Sequence, residues 1–345
     1  MAKLRPGILA MVFLTSAHAV LAQGSAVTET KPVTIDNYSR AQSDVYFAGA
    51  VKNGGFGKLE HRREISPPGH NGIIRPNRDT LYSFGVFDLE AGPVTIVVPD
   101  GAPRFMSLQI INEDQFTPAV YYGAGTYTLS SETLGTRYVM AVVRFLVDSS
   151  NEQEVAKVHA LQDSIQVKQG HPGSFETPNW DQVGLKKMRT ALQQIGTTLT
   201  DSRRMYGASE DEVDPVRHLI ASAMLWGGNR EKDALYLPIT PARNDGNTIY
   251  KLTFGNVPVD GFWSLTVYDS EGYFDSNSQQ AYAVNSLTAK KGQDGLITIQ
   301  FGGCDGRVAN CLPIMKGWNY TVRLFKPRHE ILSGEWQFPM AQPQN

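Results

Sequence analysis

Arg75-Pro76-Asn77-Arg78-Asp79-Thr80-Leu81-Tyr82-Ser83 leads out of a turn into an extended apolar run, and the 345-residue chain is built around runs of that kind. Pro76 fixes φ and Asn77 favours turns, so the chain bends here before Leu81 to Leu89 extends as a strand. Val94 to Val98, Arg104 to Ile111 and Tyr138 to Leu146 follow. They are rich in β-branched and aromatic residues and are separated by Gly, Pro and Asp, which predicts antiparallel β structure rather than a βαβ array.

Outside these runs the period changes. Asp36 is expected to cap a first helix carrying Tyr38, Val45 and Ala48 to about Val51, ended by Asn53-Gly54-Gly55. Asn151 to Val167 and Trp180 to Leu199 space their apolar residues three and four apart and predict amphipathic helices. A further helix opens with Asp214 as cap and Pro215 at its first position, and closes at Gly227-Gly228. After the loop from Pro238 to Asn247, strands return at Ile249 to Phe254, Phe262 to Asp269, Leu296 to Phe301 and Tyr320 to Phe325. A chain of this length exceeds one comfortable core. The expected fold is mainly β with α: two antiparallel β-sandwich or jelly-roll-like domains with amphipathic helices between them. The N-terminal β domain is placed at 35–150, a helical connecting region at 151–235 and the C-terminal β-sandwich domain at 236–340.

The motifs themselves resemble a bacterial family. Arg75 to Ser83, Asp88-Leu89 and Arg104-Phe105-Met106 resemble domain-of-unknown-function family 1254. Val259-Asp260-Gly261-Phe262-Trp263-Ser264-Leu265-Thr266-Val267-Tyr268-Asp269, Gly272-Tyr273-Phe274, Asn319 to Phe325 and Gly334-Glu335-Trp336 resemble its C-terminal companion, family 1214. The resemblance covers roughly residues 35 to 340 and implies the same two-domain β architecture. It implies no reaction, since the activity of these families is unsettled.

The first residues read as a leader. Lys3 and Arg5 precede the apolar run Ile8 to Leu14, and small residues follow in Ala17-His18-Ala19 and Val20-Leu21-Ala22. A basic start, an apolar run too short to span a bilayer and an A-x-A-like end predict a secretory signal peptide, 1–22, cleaved after Ala22 or Ala19. The expected location is the periplasm or the exterior. Removing residues 1–22 takes away Lys3 and Arg5 and no acid, so the formal charge moves from −2 to −4. That weakly acidic balance, with no basic patch, argues against nucleic acid as a partner. No later run is long enough to cross a membrane.

Cys304 and Cys311 are the only cysteines, and they flank a loop containing Gly303 and Gly306. In an exported protein this pattern favours a disulfide, with two free thiols or a metal pair as the alternatives.

The chemistry-bearing residues cluster in two places. Arg75, Asp79 and Tyr82, with His61 from Glu60-His61-Arg62-Arg63-Glu64, are the candidate catalytic set, and Asn77 joins them as a ligand contact. On the strand from Phe262 to Tyr268, alternation puts Phe262, Ser264, Thr266 and Tyr268 on one face and Trp263, Leu265 and Val267 in the core. Phe262 and Tyr268, with Tyr282, are candidate ligand contacts, because tyrosine offers an apolar face with a hydroxyl handle. The competing readings are a solvent-facing strand surface and, for Arg75 and Asp79, a mutual ion pair that clasps the turn. Glu60, His61, His70 and Asp79 lack the spacing of a metal site, so no metal is expected, and no motif names a cofactor. No G-x-S-x-G elbow is present. The expected activity is binding of a small or polymeric ligand, as a hydrolase or lyase or as a non-catalytic envelope protein.

Overall fold

Tyr138–Leu146, YVMAVVRFL, forms the central strand of the N-terminal half, and all nine residues are buried. A strand covered on both faces reads as a near-continuous apolar run, broken here only by Arg144, and this one is covered by a second sheet on one side and by helices on the other. The computed structural model describes residues 1, 29–69 and 74–344. The rest of the leader segment and His70 lie outside the described residues.

The N-terminal half contains α1 (Tyr38–Lys52), β1 (Glu60–Arg62), β2 (Thr80–Asp88), β3 (Val94–Val98), β4 (Met106–Asn112), β5 (Ala119–Tyr122), β6 (Gly125–Leu129), α2 (Ser131–Leu134), β7 (Tyr138–Leu146), α3 (Glu152–Asp163) and β8 (Gln166–Lys168). A five-stranded sheet in the order β1-β2-β7-β4-β5 faces a three-stranded sheet β6-β3-β8. Leu81, Phe87, Leu108, Ile110, Val143 and Phe145 of the first sheet meet Val94, Ile96 and Val98 of the second in one core.

Two helices follow, α4 (Gln182–Gly196) and α5 (Pro215–Met224). With α1 they bury Tyr38, Ala41, Leu185, Leu192 and Ile220. Asp214 accepts from the backbone N–H groups of Val216 and Arg217, so the α5 start is capped as its Asp-Pro sequence predicts. Trp180 precedes α4 and is buried, its indole N–H donating to Asp44 of α1 at 2.7 Å. Among the described residues no helix is long and apolar enough to cross a membrane.

The C-terminal half contains β9 (Ala234–Ile239), β10 (Tyr250–Phe254), β11 (Trp263–Tyr268), β12 (Ala283–Asn285), β13 (Ile297–Phe301), β14 (Cys311–Leu312), β15 (Asn319–Phe325), α6 (His329–Ser333) and β16 (Gln342–Pro343). Sheets β12-β11-β15-β9 and β14-β13-β10-β16 enclose Trp263, Leu265, Val267, Ile299, Phe301, Trp318, Val322 and Leu324. The fold is mainly β, and the strand pairs are antiparallel apart from β13 with β14. Cys304 and Cys311 are bonded, with Cα atoms 5.6 Å apart. Gly303 and Gly306 both sit at positive φ, the conformation that lets so short a loop double back.

Several boundaries differ from the sequence reading. Asp36 does not cap α1; Asn37 holds that position, and its side chain instead accepts from Thr34 N–H at 2.8 Å. The helix expected over 151–167 ends at Asp163. Gln166–Lys168 pairs instead with the open edge of β3, a tertiary contact that overrides the helical period. Through β8 and the apolar face of α3, residues past 150 pack onto the N-terminal sheets. Residues 234–239, divided in the sequence reading between connector and loop, form the edge strand β9 on β15.

Candidate ligand site between the two domains

The turn before β2 is shaped by residues far away in sequence. Arg75 sits at φ 53, and its N–H donates to Gly272 carbonyl at 2.8 Å. Tyr268 OH donates to the Pro76 carbonyl at 2.7 Å, and Arg323 Nη2 donates to the Arg75 carbonyl at 2.9 Å. Asn77 Oδ1 accepts from Asp79 N–H, closing an Asx turn that aims the Asp79 side chain.

Arg75 and Asp79 therefore do not clasp each other. Arg75 Nη1 donates to Asn319 Oδ1, while Asp79 Oδ1 accepts from Asn285 Nδ2 at 2.8 Å. Both reach across to the C-terminal domain. Asp79 is fully buried; burial raises its carboxyl above the usual range, against the pull of Arg323 and Asn285. Arg323 is itself buried, donating also to Thr266 Oγ1 at 3.0 Å and Tyr268 Oη at 2.6 Å. Burial works against its charge, but Tyr268 and Asp79 outweigh that and hold the guanidinium above its ordinary value.

The faces that meet here follow from strand alternation. From β11 and β15 come Ser264, Thr266, Tyr268, Asn319, Thr321 and Arg323, all buried. This face does not look into solvent, as one sequence reading allowed; it is covered by the N-terminal domain. From that side come Thr80 and Tyr82 of β2 and Arg144 of β7, with Ser107 and Tyr122 completing the cross-strand row Tyr82, Arg144, Ser107, Tyr122. The Arg144 guanidinium lies over the Tyr82 ring, 5.5 Å from its centroid, and Tyr82 contributes to holding the charge on Arg323. Tyr122 OH donates to Asp233 Oδ1 at 2.9 Å, and Arg230 holds the other oxygen. Beside this polar row, Phe105, Phe262 and Phe325 close the interface, with Phe262 and Phe325 stacked at 4.2 Å. Leu146 joins the same apolar patch.

Several polar atoms in this seam have no partner within the protein. Among the described residues, Asp79 Oδ2, Thr80 Oγ1, Arg144 Nη1, Ser264 Oγ and Thr321 Oγ1 are buried and unbonded. Ser264 stands near enough to pull the Asp79 carboxyl down, yet outside hydrogen-bond geometry. Buried polar groups are nearly always paired, and these five unpartnered atoms stand together in one seam.

The remaining candidates separate. His61 pairs opposite Ser83, and its Nδ1 lies 2.7 Å from Ser83 Oγ. Ser83 points to the other face of β2 from Tyr82, so His61 does not join Arg75, Asp79 and Tyr82. Burial lowers the His61 ring below its ordinary value. Tyr282 packs with Phe274 and Tyr268, and Arg78 lies 4.6 Å over its ring; Phe262 belongs to the apolar patch. Glu60, His61 and Asp79 form no group that could hold a metal among the described residues. An open surface cleft of about 670 Å³ runs beside the seam, reaching it at Phe105, Leu146 and Leu287.

Sequence reasoning missed Arg144, Arg323, Asn285 and Asn319. Arg144 and Arg323 left a signal: each is the lone charge inside a fully buried strand, YVMAVVRFL and NYTVRLF. A charge in a fully buried strand needs a partner or a ligand.

Residues 56–169 match the family model described as protein of unknown function (DUF1254), and residues 240–329 match protein of unknown function (DUF1214). The chain is a two-domain DUF1254–DUF1214 protein. The DUF1254 match covers the turn, Tyr82 and Arg144, and the DUF1214 match covers Ser264, Tyr268, Asn285 and Arg323, so the seam is the contact between the two family domains. The VPA0106 protein from Vibrio parahaemolyticus is similar in structure, with a TM-score of 0.69 at 18% identity over 90% of this chain and 98% of that one. That similarity shows a shared fold. An uncharacterised protein from Burkholderia cenocepacia is similar at 11% identity and a TM-score of 0.47, over 86% of this chain and 84% of that one. No curated protein matches the chain.

Proposed function

We propose that this DUF1254–DUF1214 protein is exported and binds a small polar ligand in the seam between its two β domains. The observation that carries this reading is the group of buried, unbonded polar atoms on Asp79, Thr80, Arg144, Ser264 and Thr321. A seam evolved only to hold two domains together would satisfy these groups or replace them with apolar ones, because each orphan costs about 1–3 kcal/mol. Function sites are where such costs are retained. Asp79, Tyr82 and the arginines offer a proton carrier and positive charge, the elements of a hydrolase or lyase. Binding is the stronger reading, because His61, the proposed base, bonds Ser83 on the other face of the sheet. Export is supported by the leader-like first residues and by the Cys304–Cys311 bond, since disulfides persist in oxidising compartments.

The test is mass spectrometry of protein isolated from the periplasmic fraction, first under native and then under denaturing conditions. The expected result is a chain beginning at Gln23 that releases a small molecule in near-stoichiometric amount. A ligand-free protein that also takes up nothing from a periplasmic extract would remove the binding reading. An intact Met1 would remove the export reading.

A further inference from the structure

Arg144 is unlike the other buried arginine, Arg323, and unlike the half-buried Arg104 and Arg230. Arg323 is engaged by Thr266, Tyr268 and the Arg75 carbonyl. Arg104 meets the Leu146 carbonyl and Glu154, and Arg230 meets Asp233 and the Pro118 carbonyl. Arg144 is 7% exposed and donates no hydrogen bond to any protein acceptor among the described residues. A guanidinium carries five N–H donors in a planar fork and cannot shed its charge by deprotonation. Burying it without an acceptor is among the most unfavourable arrangements a fold can hold. The nearby carboxylate, Asp233, is already taken by Arg230 and Tyr122.

Two neighbours of Arg144 add hydroxyls to the row. Tyr82 and Ser107 lie directly opposite it on the two adjoining strands, and neither hydroxyl is engaged in a hydrogen bond among the described residues. Three donors in one cross-strand row are thus uncommitted, with a cation at the centre and hydroxyls on both sides. The guanidinium lies over the Tyr82 ring, 5.5 Å from its centroid, and its Nη1 is buried without an acceptor. The planar fork of a guanidinium can receive two oxygens of one group through two parallel N–H bonds.

We propose that Arg144 is the anchor of an oxyanion subsite, on which the carboxylate or phosphate group of a small organic anion docks between the hydroxyls of Tyr82 and Ser107. The proposal names the ligand class for the seam and rests on the binding reading above. The anion supplies the acceptors that the protein withholds, and its body extends toward Thr80 and the Ser264–Thr321 face, where further polar atoms stand unbonded.

The test titrates the full mature chain, exchanged into a buffer free of carboxylate and phosphate, with sodium acetate, sodium benzoate and sodium phosphate at constant ionic strength. Calorimetry gives the affinity, and the thermal midpoint is followed in parallel. The expected result is saturable binding of at least one anion, weakened about tenfold or more in Arg144→Met, as loss of a charge-assisted bidentate contact requires. The ligand-free midpoint of Arg144→Met should be no lower than that of the wild type, because the variant removes an unpaired buried charge. Acetate or benzoate binding identifies a carboxylic acid, and binding of phosphate alone identifies a phosphate ester. Should Arg144→Met not fold, Arg144→Gln takes its place with the same expectation for affinity. Equal affinity in wild type and variant overturns the subsite while the seam remains a binding place. A wild type that binds none of the three anions but releases a neutral molecule on denaturation also overturns the subsite alone. No anion and no released molecule would end both readings.

Discussion

Tyr268 donates its hydroxyl proton to the carbonyl of Pro76, 192 residues earlier in the chain, at 2.7 Å, and accepts from Arg323 Nη2 at 2.6 Å. One phenol thus ties the turn of the first domain to the sheet of the second and holds the buried cation beside it. The two family domains are thus joined through hydrogen bonds that are buried or half-buried, where removing one partner leaves the other unsatisfied.

Tyr268→Phe keeps the ring and removes this hydroxyl. The Pro76 carbonyl and one Arg323 N–H lose their partner, which should cost about 2–3 kcal/mol. Urea unfolding followed by far-UV circular dichroism and by tryptophan fluorescence measures it. The two signals should move together to lower urea. A change below about 0.5 kcal/mol would show that the junction does not depend on this bond.

Asp79→Ala strands the Asn285 amide and removes the one carboxylate that acts on Arg323, and should cost about 3 kcal/mol or more. Arg75→Lys can still donate to Asn319 and should cost about 1 kcal/mol. A reversed order, with Arg75→Lys the more damaging, would mean that Arg75 and not Asp79 secures the turn.

Asp44 supplies a pH test. It is 3% exposed, and its carboxyl is pushed from 3.8 up to about 6, chiefly by burial, with Trp180 N–H opposing and Glu113 adding to it. The folded state therefore holds this proton more tightly than the unfolded one. Its contribution to stability is greatest below about pH 4 and is lost as pH rises through about 6, an amount of at most about 3 kcal/mol. Asp44→Asn can still accept from Trp180 and carries no charge to bury. It should be more stable than the wild type at pH 8, and that advantage should shrink toward pH 4. An advantage that does not change with pH would rule out Asp44 as its source.

Cys304→Ala opens the short loop between β13 and β14. It should cost about 2.5 kcal/mol in the chain-entropy account, and Cys311→Ala about the same. The unreduced protein should weigh two hydrogens less than its sequence and resist alkylation. Two alkylated cysteines without reduction would dispose of the bond.

The sequence was most legible where burial is complete. Val94–Val98 and Tyr138–Leu146 have the same limits in sequence and structure, the first because one face alternates into the core and the second because both faces are buried and only Arg144 breaks its apolar run. The strand β9 went unseen because Pro238 marks a loop by local rules. Proline is tolerated there because β9 lies at the edge of its sheet. The turn at Arg75 was visible from Pro76 and Asn77, but its partners were not. Asn285, Asn319 and Arg323 stand more than 200 residues further on, and only the packing of one sheet on another brings them to it. His61 illustrates the reverse error, since nearness in sequence put it with Tyr82 and strand alternation took it to the other face.

The wide sequence separation across the Pro76–Tyr268 bond has a consequence for biogenesis. A chain made from its N-terminus completes the first β domain while the sheet bearing Tyr268, Asn285 and Arg323 does not yet exist. During that interval Asp79 lacks its amide partner, and Phe105, Leu146 and Arg144 form an uncovered face that mixes apolar surface with an unpaired cation. Such a half-made protein is prone to self-association. A fragment ending near residue 170 should be recovered as aggregate, because the face that β11 and β15 cover in the whole chain is left open in it.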